Sequence, residues 1–232
     1  YKNKFLSKNL KLNIIKEKSH SNISNKIVIK NVSINSKKIK KNDIFFAIKG
    51  KKKDGNHYLR EVFNKKASLA IVNKINKLEK KSKQIKVKNT LSFLTKTSSK
   101  VRENSSAKII AITGSCGKTS LKELIGMTLN KLCCVTYSRK SFNNKFGVPL
   151  SLFNLNQKDD FGVFEVGMDK KNEIDTLTKI IKPDVGVITN ISYAHAKNFK
   201  NLKQIALAKS EIMNNIVRGG SIVLNADDRF YR

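Results

Sequence analysis

The chain has 232 residues, 39% of them hydrophobic, enough to bury the core of one large domain or two small ones. No apolar run approaches the length of a membrane span, so membrane insertion is not expected. A formal charge of +31 invites a nucleic-acid partner, but lysine outnumbers arginine 42 to 6 and no arginine-rich base-reading pattern accompanies it, so no such partner is expected.

The opening segment, "YKNKFLSKNLKLNIIKEK", lacks the apolar centre of a signal peptide, and a start on Tyr1 suggests a fragment. Residues 1–100 hold 28 Lys and Arg against 5 Asp and Glu, with Asn and Ile also abundant, as an AT-rich coding bias would produce. Strands are expected at 27–34 ("IVIKNVSI"), 44–48 ("IFFAI") and 69–72 ("LAIV"), with a helix over "HYLREVFNKK" between the last two. A polar, lysine-rich stretch at 74–90 precedes a helix at 90–103. The segment "ENSSAK", 103–108, has linker composition, which divides the chain into expected domains 1–105 and 106–232.

Past the linker, strand and helix alternate. A strand at 108–112 leads into a glycine loop, followed by a helix with Leu121, Leu124, Ile125 and Leu129 on one face. Strands at 132–136, 162–166, 185–189 and 221–224 and helices at 172–181 and 201–217 complete the series. The pattern predicts an α/β fold: a small N-terminal α/β domain, then a central domain whose mainly parallel sheet is flanked by helices. Cys116, Cys133 and Cys134 form no C-x-x-C pair, which argues against a disulfide framework or a zinc site and for a reducing cytoplasm.

The glycine loop, "IIAITGSCGKTSLKEL", has the spacing G-x-x-G-K-T. Glycine at 114 and 117 lets the backbone curl so that several N–H groups and a helix N-terminus converge on one point, as a phosphate requires. Lys118 would add a mobile positive charge, and the Thr119 hydroxyl a ligand for Mg²⁺. Cys116 is a small residue at a permissive position; no histidine partner is evident for a thiol nucleophile. Glu165 closes the strand 162–166 at the edge where ligands of open sheets gather, and is read as a metal ligand or as a cap for the next loop. His195 falls on the same edge, where a structural role competes with a ligand role. On the helix 201–217 the apolar stripe Leu202, Ile205, Ala206, Ile212, Met213 and Ile216 includes Lys209. Its ammonium must either snorkel to water or face the active edge, since burying it unpaired is costly.

Taken in order, "ITGSCGKTSLKEL", "SFNNKFGVPLSL", "VFEVGMDKKNEIDTLTKIIKP", "ITNISYAHAKNFKNLKQIALAKSEI" and "VLNADD" resemble the Mur ligase family, MurF type. "VSINSKKIKKNDIFFAIKGKKKDGNHY" and "ASLAIV" extend the resemblance into the first domain. G-x-x-G-K-[ST] is the form this family's phosphate loop takes. The resemblance implies a cytoplasmic, monomeric ATP- and Mg²⁺-dependent peptide ligase of peptidoglycan synthesis. It would join D-alanyl-D-alanine to UDP-N-acetylmuramoyl-tripeptide through an acyl phosphate.

The resemblance also implies residue roles. Gly114, Ser115, Cys116, Gly117, Lys118, Thr119, Ser120, Asn143, Asn144, Asn225 and Asp227 would bind ATP. Thr119, Glu165, His195 and Lys209 would hold metal, Lys209 at the position carbamylated in several Mur ligases. Lys118, His195 and Lys209 are the catalytic candidates. Ser36, Asp54 and Gly55 would contact the uridine-nucleotide substrate. Departures from the family pattern are Cys116 for Asn or Ser, Asn35 and Lys37 for Asp and Arg around Ser36, and Asn172 for glycine. The family continues into a C-terminal domain after "NADD", so residues 1–232 alone are expected to ligate poorly. Rival readings are another Mur-type or folylpolyglutamate-type ligase, or a basic nucleic-acid-binding ATPase. The ATPase would need a second acidic residue beside Glu165.

Overall fold

Parallel strands carry both halves of the chain. The computed structural model describes residues 10–21, 23–50, 53–193 and 198–231, and the chain divides into two units, Tyr1–Val101 and Arg102–Arg232. In the first unit β1 (Val32–Ser33), β2 (Ile44–Phe46), β3 (Leu69–Val72) and β4 (Gln84–Lys86) lie side by side in chain order, all parallel. Ile44 pairs with Val32 on one side and Leu69 on the other. Every residue of β2 and β3 is buried, which is why both read as unbroken apolar runs. Helix α2 (Leu59–Asn64) sets Leu59, Val62 and Phe63 against Phe45, Ala47, Ala70 and Val72.

Several elements of this unit differ from the sequence reading. The strand expected at 27–34 shrinks to β1, because Val28 is exposed and the Lys30 N–H bonds Asn42 O outside any ladder. The helix expected at 57–66 opens as a 3-10 turn, Gly55–Tyr58, before α2 begins. Strand β4 lies hidden in the lysine-rich stretch: Gln84 and Ile85 are buried while Lys86 is exposed, a charged edge that discourages pairing with another chain. Helix α1 (Leu10–Ser19), which buries Leu12, Ile14 and Ile15, has no counterpart in the sequence reading. Helix α3 (Thr90–Glu103) occupies the span expected for it.

The second unit is a five-stranded parallel sheet in the order β6-β7-β5-β8-β9. Its strands are β5 (Lys108–Thr113), β6 (Val135–Tyr137), β7 (Phe161–Glu165), β8 (Val185–Ile188) and β9 (Ser221–Leu224). The intervening helices are α4 (Lys118–Leu129), α5 (Gly147–Phe153), α6 (Glu173–Ile181) and α7 (Leu202–Ser210). The chain leaves central β5 toward β6 and β7 on one side, then returns to β8 and β9 on the other. The loops therefore diverge at the carboxyl end of β5, the place where open α/β sheets bind ligands.

Leu121, Ile125 and Leu129 of α4 pack on Ile112, Val163 and Val187. Leu124, expected on the same face, is 64% exposed, and Lys122 and Gly126 are buried instead. The helix leans over the β6 edge so closely that a Cβ at Gly126 would stand 2.7 Å from the Tyr137 ring. Strand β6 begins later than expected, since Leu132 and Cys133 N–H groups close the end of α4 on Leu129 O. The helix expected at 201–217 gives way at Ser210 to a 3-10 segment, Glu211–Asn215. The buried Glu211 carboxylate accepts the Asn172 and Asp175 N–H groups at the start of α6, and Asn215 Nδ2 reaches Asp175 Oδ1. These tertiary bonds tighten the segment, bury Ala208 and leave Met213 exposed.

Candidate active site

Between β5 and α4 the backbone turns through Gly114 at φ +147° and Gly117 at φ +79°. A Cβ at 114 would overlap Thr189 Oγ1, so only glycine lets the loop lie on the end of β8. The loop is then fastened to the residues after β8. Ser115 N–H donates to Asn190 O (3.0 Å), Cys116 N–H to Asn190 Oδ1 (2.9 Å), and Thr189 Oγ1 to Cys116 O (2.6 Å). Ser115 Oγ donates to Ser192 O and accepts from Ser192 N–H. Asp228 Oδ2 in turn accepts the Ile191 N–H at 2.7 Å.

Helix α4 starts at Lys118 with no side-chain cap, which leaves its first N–H groups and its positive dipole end turned to the loop. The Lys118 ammonium crosses the loop and donates to Gly114 O (2.7 Å) and Ser115 O (3.2 Å). The Ser115 and Cys116 N–H groups are taken by Asn190, so the donors left to a phosphate are those of the uncapped α4 N-terminus, with the Lys118 cation beside them.

Glu165 is 1% exposed, yet it carries a carboxylate. Oε2 accepts from Thr119 Oγ1 and Oε1 from Asn143 Nδ2, both at 2.7 Å. Ser141 Oγ lies 3.3 Å from Thr119 Oγ1, and Ser138 Oγ accepts the Glu165 N–H. The carboxylate thus faces the phosphate loop and does not cap the loop that follows it. Asn144 turns elsewhere: its Oδ1 accepts the Phe146 and Gly147 N–H groups where α5 begins.

Lys209 is 2% exposed, so its stem is packed inside the unit and does not lie along the surface. Burial, then the like charge of Lys118, hold the ammonium's pKa down from 10.5 to about 8, with Cys116 acting slightly the other way. Among the described residues no carboxylate pairs with this cation, and its nearest charge is Lys118 of the phosphate loop, a setting matched to an anionic ligand. His195 lies in 194–197, outside the described residues.

Among the described residues no three His, Cys, Asp or Glu side chains gather as a metal cage. The Thr119 hydroxyl and Glu165 carboxylate are oxygen donors of the kind Mg²⁺ takes when phosphate and water complete its shell, so these residues fit that ion.

After β9, Asn225 Oδ1 accepts the Asp227 N–H. Asn225 and Asp228 line a groove of about 230 Å³ with Ile188, Leu207 and Tyr231. In the first unit Ser36 and the pair Asp54 and Gly55 follow the carboxyl ends of β1 and β2. Lys65 Nζ donates to Ser36 O (3.0 Å) and pairs with Glu61 (2.7 Å), while Asp54 Oδ1 caps the Asn56 N–H (2.9 Å). Sequence reasoning missed Ser138, Ser141, Asn190, Ser192 and Asp228. The only available signal was position, since "TNIS" and "NADD" both follow strands at the active edge.

Residues 112–232 match the Mur ligase middle domain, and residues 28–106 match the Mur ligase family catalytic domain. The UDP-N-acetylmuramoyl-tripeptide–D-alanyl-D-alanine ligase of Rickettsia prowazekii (strain Madrid E) is 40% identical over 209 residues, 90% of this chain and 46% of that protein. A crystal structure of MurF from Acinetobacter baumannii superposes with a TM-score of 0.82 at 30% identity, over 94% of this chain and 49% of that one. MurF ligase from Thermotoga maritima, solved in complex with ADP, gives 0.74 at 27% identity, over 88% of this chain and 47% of that one. The chain therefore spans about half the length of the relatives it matches. With the middle-domain match alone covering more than half of its residues, the chain belongs to the Mur ligase family.

Proposed function

We propose that the protein carrying this chain is an ATP-dependent, cytoplasmic, monomeric ligase that joins D-alanyl-D-alanine to UDP-N-acetylmuramoyl-tripeptide. The observation that carries the reading is the junction at Glu165, where the phosphate-loop Thr119 and the Asn143 side chain converge on one buried carboxylate. In this reading the α4 N-terminus and Lys118 bind the triphosphate and offset its charge as a second anion, the peptide carboxylate, approaches. Thr119 and Glu165 would hold Mg²⁺, which polarises the phosphate oxygens when bound. Lys209 adds positive charge on the same edge, and Asn225 and Asp227 lie toward the adenosine. Ser36, Asp54 and Gly55 receive the uridine nucleotide.

The peptide carboxylate oxygen attacks the γ-phosphorus, breaking its bond to ADP and forming an acyl phosphate. The free amine of D-alanyl-D-alanine then attacks the acyl carbon and inorganic phosphate leaves. The test is ADP formation by the protein that carries this chain. Formation that requires both the tripeptide nucleotide and D-alanyl-D-alanine, and falls at least about a hundredfold in Lys118→Ala, is expected. ADP release indifferent to either substrate would refute the reading.

A further inference from the structure

Lys122 is 0% exposed, one of the largest fully buried side chains in the molecule, and none of the roles above uses it. It stands one helical turn beyond Lys118 on α4. Its Nζ donates to Lys140 O at 2.6 Å and pairs with Glu123 Oε1 at 2.8 Å. Lys140 itself has φ +51°, a left-handed conformation unusual for a non-glycine residue. The gripped carbonyl therefore belongs to a residue held in a conformation that a lysine adopts only at some cost. Ser141 comes next, 3.3 Å from Thr119 Oγ1, and two residues later Asn143 donates to Glu165.

We propose that Lys122 is a positioning residue of this site: its ammonium fixes the 138–144 loop so that Ser141 and Asn143 are presented to Thr119 and Glu165. An apolar side chain of the same volume would fill the space beneath α4 without desolvating a charge, so packing alone gives no reason for a lysine here. A buried ammonium whose hydrogen bond ends on the carbonyl of this left-handed residue sets the register of that loop against the helix bearing Thr119. The proposal rests on the reading of this edge as a metal–nucleotide site.

The experiment compares the chain with Lys122→Met and Lys122→Arg, using two readouts. The first is amide hydrogen exchange without nucleotide at Phe142, Asn143 and Gly167, whose N–H groups bond Arg139 O, Ser141 O and Asn143 O. The second is ATP affinity with Mg²⁺ and with EDTA. Lys122→Met should speed exchange at those amides at least about tenfold, the worth of a hydrogen bond to a charged group, while β5 stays protected. It should also abolish the Mg²⁺-dependent part of ATP affinity and leave the EDTA value within about twofold. Lys122→Arg should preserve both. If Lys122→Met fails to fold, the milder Lys122→Gln must shift the same amides in the same direction. Unchanged exchange in the loop, or equal loss of ATP affinity with and without Mg²⁺, overturns the proposal. A wild-type chain with no Mg²⁺-dependent affinity removes the underlying site reading, and the exchange data then decide alone whether Lys122 holds the loop.

Discussion

Glu165 draws its hydrogen-bond partners from 22 and 46 residues away, whereas the side chains that cap the turns at Ser36 and Asp54 act within two positions, with Lys65 reaching Ser36 O from farther off. In the first unit Asn35 Oδ1 takes the Lys37 N–H and Asp54 Oδ1 the Asn56 N–H, each inside its own turn. In the second unit the buried Glu165 depends on Thr119 and Asn143, and the buried Lys122 on Lys140 O, segments that the fold brings together. A locally capped turn can lose one bond and keep its shape. A junction of distant segments around one carboxylate fails as a unit.

The sharpest way to break the second kind of site is at the loop itself. Gly114→Ala combines a backbone at φ +147° with a Cβ driven into Thr189, and should cost about 3 kcal/mol or more by chemical unfolding. Gly117→Ala, at φ +79° but with open space around its Cβ, should cost about 1 kcal/mol. Equal losses would mean that contact with Thr189 contributes nothing to the loop.

Lys209 offers the next largest effect, and its sign can be worked out. Its folded-state pKa is lowered from 10.5 to about 8, so between those values the unfolded chain binds the extra proton. Stability should therefore rise with pH across this window, and the penalty of the buried charge should be fully present below about pH 8. The total is at most about 3 kcal/mol. Lys209→Met should be more stable than wild type at pH 7, with the gap closing toward pH 10.5. A constant gap would show that the amine keeps its proton throughout.

A smaller effect separates the two units directly. Asn143→Ala and Glu165→Ala should show a coupling energy of about 1 kcal/mol or more, because the two side chains share a hydrogen bond to a buried carboxylate. Asn35→Ala and Asp54→Ala should each cost about 1 kcal/mol and add to within about 0.5 kcal/mol, since they share no partner. Additivity at Glu165 would reduce that junction to independent contacts.

What the sequence made legible follows the same division. Strand, glycine spacing and helix are local signals, so the phosphate loop and its place after β5 could be read directly. Lys209 stood out because a charge interrupted an apolar stripe. Lys122 did not, being one of 42 lysines and lying off the face expected to be buried. Leu124 misled because its spacing fits the stripe, while the lean of α4 toward Tyr137 is a tertiary fact. The break in α7 depends on Glu211 reaching across to Asn172, and the hold on the loop depends on Asn190, 74 residues from Cys116. Lysines flanking Gln84 and Ile85 hid β4, since only two of its residues are buried and one of them is polar.

Cys116 tests the smallest effect. Its thiol is exposed at the loop tip, and among the described residues its hydrogen bonds are made by the backbone, the N–H held by Asn190 Oδ1 and the carbonyl by Thr189 Oγ1. Cys116→Ser should leave ATP affinity within about twofold and stability within about 0.5 kcal/mol, as for a surface side chain with no bonds to lose. Asn190→Ala should cost about 1 kcal/mol, because it removes the acceptor of the Cys116 N–H. A reversed ranking, with the thiol mattering more than the asparagine 74 residues away, would mean that the loop's own side chains shape it. That would erase the contrast with the locally capped turns of the first unit.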